Sequence, residues 1–180
     1  FGYACHCTTL NFQKFSGDYA GHAQALIEQA HPGAVALFVN GCSGDQNPYP
    51  RRTAGLERTH GLTLATAVDA ALETNLVPLS GDLQAAYEEI DLPYENVPTQ
   101  AELEQRLTVS DPWEKRRAEA LLEQLAGGEA LPSHYPYPVQ VLRLGPTLTL
   151  VALGGEVVVD YSLRLQKDLA DPTVWVAGYS

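Results

Sequence analysis

The chain has 180 residues, enough for one domain with a sizeable core. Its net charge is -11, from 22 acidic and 11 basic residues, which argues against non-specific nucleic-acid binding and against attachment to an anionic membrane. No apolar run approaches the ~20 residues of a membrane-spanning helix, and no signal peptide is visible. The three cysteines, an odd count, make no disulfide framework. The chain contains no Met, and both of its ends read as strands. It is therefore read as a fragment, for which a missing signal peptide says nothing about location.

Residues 1–8 alternate, with Phe1, Tyr3, Cys5 and Cys7 on one face and Ala4, His6 and Thr8 on the other, and so predict a strand. The same alternation sends the thiols of Cys5 and Cys7 away from the His6 imidazole, so Cys5-His6-Cys7 is not read as a metal cluster. Ser16 or Asp18 can cap a helix over about 18–30, where Tyr19, Ala23, Leu26, Ile27 and Ala30 share one face. The apolar run Ala34–Val39 predicts a buried strand.

The stretch Asn40-Gly41-Cys42-Ser43-Gly44-Asp45-Gln46-Asn47-Pro48 follows that strand and precedes a helix. In open α/β sheets, ligands bind at such carboxyl ends. Its residue types also suit an ordinary turn. The next helix is expected over 54–74, with Leu64, Val68, Ala71 and Leu72 buried and His60 packed under the loop.

Residues 82–92 predict a strand ended by Pro93 and Pro98. Thr99 to Glu102 is a capping box opening one helix, and Asp111-Pro112 opens another that Gly127-Gly128 stops. Charge dominates this region, so 99–128 is expected to be a helical surface insertion in a single domain. Val139–Leu144 and Leu148–Leu153 predict a hairpin across Gly145-Pro146. Gly154-Gly155-Glu156 then leads into a helix carrying Val158, Tyr161, Leu165 and Leu169, and a last strand covers 173–179. Glu156 reads either as a first-turn acid or as a metal ligand at the sheet edge. The predicted fold is α/β, a mixed and largely parallel sheet flanked by helices.

Taken together, Ala4-Cys5-His6, Ser16-Gly17-Asp18-Tyr19-Ala20-Gly21, Gly44-Asp45-Gln46-Asn47-Pro48, Gly154-Gly155-Glu156 and Val176-Ala177-Gly178-Tyr179 resemble the catalytic domain of the neutral/alkaline non-lysosomal ceramidases and their bacterial relatives. The pieces occur in the family's order across nearly the whole chain. The resemblance implies the C-terminal part of a zinc amidase domain that cleaves ceramide to sphingosine and a fatty acid. It matches His6 and Glu156 to two of the family's zinc ligands. The others, an upstream histidine and a tyrosine just after the final strand, lie outside this chain, and Tyr179 is not equated with the latter.

The residue types suit a catalytic zinc, which takes nitrogen and oxygen ligands and keeps one position for water. Asp45 and Asn47 are then candidate catalytic residues that orient water or substrate, and Ser43 is a candidate substrate contact. Characterised members of the family have an essential serine where this chain has Asn47. An amide cannot act as that nucleophile, but it can donate a hydrogen bond to an oxyanion. The expected partner is a small-molecule or lipid amide, with the substrate left open by Asn47. A secreted or periplasmic location is suggested by the family only. The competing readings are a catalytically silent domain of the same fold and a phosphate-binding domain using Arg51 and Arg52. The lack of a Gly-Lys-Ser/Thr ending argues against a phosphate loop.

Overall fold

The computed structural model describes residues 1–169 and 173–179. The chain is α/β, with six strands and five helices among the described residues. It divides into two compact units, one formed by Phe1–Glu88 with Val139–Ser180 and the other by Glu89–Pro138.

In the first unit, strand β1 (Gly2–Tyr3) pairs in parallel with β2 (Val39–Asn40). The pairing continues past the strand ends, because the Phe1 amino group donates to Leu37 O (3.1 Å) and Gly41 N donates to Tyr3 O (3.2 Å). Strand β5 (Leu148–Leu153) runs antiparallel to the Val139–Leu144 part of β4 (His134–Leu144), whose first residues belong to the second unit, and parallel to β6 (Thr173–Ala177). With β3 (Leu83–Pro93), which likewise runs from the first unit into the second, the strand order of this sheet is β3-β4-β5-β6. Gly41 bridges to Ala177, and Gly178 N donates to Asn40 O at 3.0 Å, so the carboxyl ends of β2 and β6 meet.

Helices α1 (Asp18–Ala30) and α2 (Leu56–Leu72) pack on each other. Ala23 and Ile27 of α1, Ala65 of α2 and Ala36 form one buried cluster, with Phe1, Leu26, Leu64 and Val68 against it. Cys5, Tyr19 and Ala20 form a second, covered by Phe38 and Leu64. Rings meet edge to face at Phe1–Phe38 and Tyr19–Phe38, each contact worth ~0.5–1.5 kcal/mol beyond burial. The helices approach closely at Gly61, where a Cβ would stand 2.8 Å from the Tyr19 carbonyl oxygen.

Several expected elements differ. The strand over 1–8 shortens to Gly2–Tyr3, since only that part finds a ladder partner. The run Ala34–Val39 is not buried on both faces: Ala36 is buried, while Val35 and Leu37 are 78% and 69% exposed. A two-stranded sheet with helices on one face leaves alternate side chains outside. Ala71 and Leu72 end α2 in solvent rather than in the core, and α1 has already ended there, its C-cap residue His31 lying 3.0 Å from Asp69. Helix α5 (Val159–Leu169) buries none of its residues, so Tyr161 and Leu169 are exposed, and Val158 precedes it.

In the second unit, α3 (Gln100–Arg106) opens with the full Thr99/Glu102 capping box. Helix α4 (Pro112–Ala126) is capped by Asp111, whose side chain accepts from Trp113 N and Glu114 N. Among the described residues no helix is long and apolar enough to cross a membrane.

Candidate functional site

Four segments converge where strands of the first unit end. His6 follows β1, Ser43–Asn47 follow β2, Glu156 follows β5 and Tyr179 follows β6. Backbone hydrogen bonds draw them together. His6 N donates to Gln46 O (2.9 Å), and Gly44 N donates to Val157 O (2.9 Å). Tyr179 N donates to Gly155 O (3.0 Å). The loop after β2 is thus bonded to the His6 segment on one side and to the Glu156 segment on the other.

Asp45 is exposed, and its Oδ1 accepts from Val159 N at 3.0 Å, capping α5. That N–H, with help from Gln46, holds the Asp45 carboxyl below the usual carboxylate range. The positive end of the helix favours the same charge. One oxygen of this expected catalytic acid is therefore engaged in holding the loop against α5.

Asn47 is exposed, and its Oδ1 accepts from both Arg51 Nη1 (2.6 Å) and Thr8 Oγ1 (3.1 Å). Two donors on one oxygen set the orientation of the amide. Its NH2 end has no partner among the described residues and is left to donate elsewhere. Asn47 also lines a cleft of about 280 Å³ with Tyr3, Tyr19, Tyr49, His60 and Leu64. His60 is held under the loop as expected, with its Nε2 2.9 Å from Pro50 O.

Ser43 is wholly buried. Asn40 Nδ2 donates to its Oγ (3.0 Å), and that Oγ donates to Tyr179 Oη (3.3 Å). The Tyr179 hydroxyl lies 3.0 Å from His6 Nδ1 and 3.4 Å from Nε2, with the two rings edge to face. Ser43, expected to touch substrate, thus reaches the half-buried His6 only through Tyr179. Asn40 Oδ1 is buried without a partner, a cost of ~1–3 kcal/mol for such a group.

Tyr179 is the site residue that sequence reasoning set aside. It has a φ of +61°, which bulky side chains rarely adopt, and its backbone and hydroxyl contacts hold it there. The available signal was a tyrosine directly after the glycine that ends a strand.

Glu156 is exposed and sits in the loop three residues ahead of α5, not in its first turn. Its carboxylate has no hydrogen bond or ion pair among the described residues. The donor chemistry at these strand ends includes the imidazole nitrogen of His6 and the carboxylate of Glu156, which in type suit zinc. Among the described residues no three His, Cys, Asp or Glu side chains cluster as a metal group. Cys5 is buried against Tyr19 and Ala20, and burial pushes its thiol up, away from the reactive thiolate form.

No protein-family model matches the chain, and no curated protein matches it. Solved structures do. The chain is similar to the neutral ceramidase from Pseudomonas aeruginosa, with a TM-score of 0.60 at 20% identity, over 99% of this chain and 36% of that one. It is also similar to a ceramidase complexed with C2, with a TM-score of 0.62 at 16% identity, over 99% of this chain and 38% of that one. The likeness is one of fold: the chain has the α/β architecture of part of a neutral ceramidase and spans little more than a third of the length of these structures.

Proposed function

We propose that the chain is part of a zinc-dependent, ceramidase-like hydrolase of amide bonds, with His6 and Glu156 as metal ligands. The observation that carries this reading is the loop Ser43–Gln46, bonded to the His6 segment through Gln46 O and to the Glu156 segment through Gly44 N. A catalytic zinc has three protein ligands, so at least one more comes from chain beyond these residues. When bound, zinc would lower the pKa of a water to ~7 and polarise the amide carbonyl.

The chain's own residues do the rest. His6 supplies an imidazole nitrogen and Glu156 an unpaired carboxylate. Asn47, pinned through its carbonyl oxygen, presents its NH2 to the oxyanion that forms as the amide is attacked. Asp45 keeps the loop in register against α5 and orients water or substrate beside it. The aromatic-walled cleft beside Asn47 suits an apolar portion of a small-molecule or lipid amide.

The test is made on the complete protein. It is expected to hold one zinc per chain, to hydrolyse an N-acylsphingosine or a simpler N-acyl amine, and to lose both properties in His6→Ala and Glu156→Ala. Unchanged zinc content in both variants overturns the ligand assignment. The alternative reading is a catalytically silent domain of the same fold. It predicts no stoichiometric zinc and no turnover in the complete protein.

A further inference from the structure

Four side chains from three separate strand ends form one hydrogen-bonded line, from Asn40 through Ser43 and Tyr179 to His6. We infer that Tyr179 is a positioning residue for the His6 imidazole, and that Ser43 and Asn40 fix the hydroxyl through which it acts. The inference rests on the metal reading above only where zinc affinity enters its test.

Three observations carry it. Ser43 is wholly buried, and both partners of its hydroxyl belong to the line. Tyr179 keeps its left-handed backbone while its N–H is bonded to Gly155 and its hydroxyl reaches both Ser43 and His6. The residue is thereby clamped between the strand end that carries Glu156 and the ring of His6. Finally, the hydroxyl is nearer to Nδ1 (3.0 Å) than to Nε2 (3.4 Å). A partner on one ring nitrogen sets the tautomer and orientation of the ring, and so decides which nitrogen remains for a ligand. Here the shorter contact, to Nδ1, is the one that sets the tautomer, while Nε2 also lies within hydrogen-bonding distance of the same hydroxyl.

The line can run either way. Serine and tyrosine hydroxyls both give and accept, and the Asn40 amide has an end of each kind. When His6 uses its Nε2 lone pair, Nδ1–H donates to Tyr179, Tyr179 to Ser43, and Ser43 to Asn40. The buried Asn40 Oδ1, which has no partner, supplies the acceptor that this polarity needs once the amide is turned.

The experiment uses the complete protein with ¹⁵N-labelled histidine, stripped of metal by a chelator, at a pH where the imidazoles are neutral. The wild-type His6 ring is expected to show a single tautomer in its nitrogen spectrum. Tyr179→Phe should convert that signal to an average of two tautomers, while the signals of His22, His31, His60 and His134 stay in place. Ser43→Ala should move His6 the same way by less, and it carries the test if Tyr179→Phe does not fold. An unchanged His6 pattern in the folded variants overturns the inference. Zinc affinity is read separately, with a loss of roughly 10–100-fold expected in Tyr179→Phe, as for other groups that orient a ligand. A changed ring pattern with full zinc affinity upholds the positioning role and removes His6 from the ligand set.

Discussion

The α-carbon of Gly44 lies against the carbonyl oxygen of Glu156, so closely that a side chain at position 44 would collide with it. The same Cβ would stand 3.2 Å from the Val157 carbonyl carbon. The obstacles are backbone atoms and cannot swing aside. Gly44→Ala should therefore destabilise the protein by about 1–3 kcal/mol, the usual cost of overpacking. Gly21→Ala is the control: nothing lies within 4 Å of its Cβ and it sits inside α1, so it should stabilise by ~0.5–1 kcal/mol. Denaturant midpoints decide between them, and a Gly44→Ala protein as stable as the wild type would refute the contact.

Asp45 links the same loop to α5 through Val159 N, and that bond depresses its carboxyl. A depressed folded pKa means stability that is present above the unfolded pKa and lost as pH falls through the folded one. The Val159 amide should thus be protected at neutral pH and lose protection below the ordinary carboxylate range. Asp45→Asn caps a helix about as well and should keep the protection while removing its pH dependence. Hydrogen exchange at Val159 reads both, and an acid-sensitive Asp45→Asn would point to another group.

Asn47 offers its NH2 because Arg51 and Thr8 occupy its oxygen. In the complete protein, Asn47→Ala should slow amide hydrolysis by roughly 10²–10³, as for other lost oxyanion donors. Arg51→Ala, which frees the amide to rotate, should cost less. Full turnover in the alanine variant, or an acyl group trapped on any loop side chain, would count against the donor role.

Glu89–Pro138 is a compact unit of its own, and α3 and α4 pack on each other within it. We propose that residues 99–128 are a peripheral insertion. Replacing them with a short Gly/Ser linker should leave cooperative unfolding of the remainder intact. A broad, non-cooperative transition in that deletion would show that the insertion holds the rest together.

The helix starts of the second unit were legible in the sequence because a cap is decided within four residues. Thr99 and Glu102 satisfy each other's backbone, as do Asp111 and the N–H groups of Trp113 and Glu114. The hairpin across Gly145-Pro146 is equally local, joining two apolar runs in antiparallel register. Strand length was not legible. Alternation over 1–8 states which faces differ, but a ladder also needs a partner, and only Gly2–Tyr3 is paired as strand.

The sequence by itself also placed His6, the Ser43–Asn47 loop and Glu156 at strand ends. It did not say which ends adjoin. His6 and Tyr179 are 173 residues apart, and Ser43 and Tyr179 are 136 apart. No local pattern relates residues at such separations. They meet because the carboxyl end of β2 is hydrogen-bonded to the end of β6 through Asn40 and Gly178, while Gln46 holds the backbone of His6 alongside. Tertiary structure alone decided that Ser43 would be buried behind a tyrosine and that Tyr179 would be the residue in contact with the histidine.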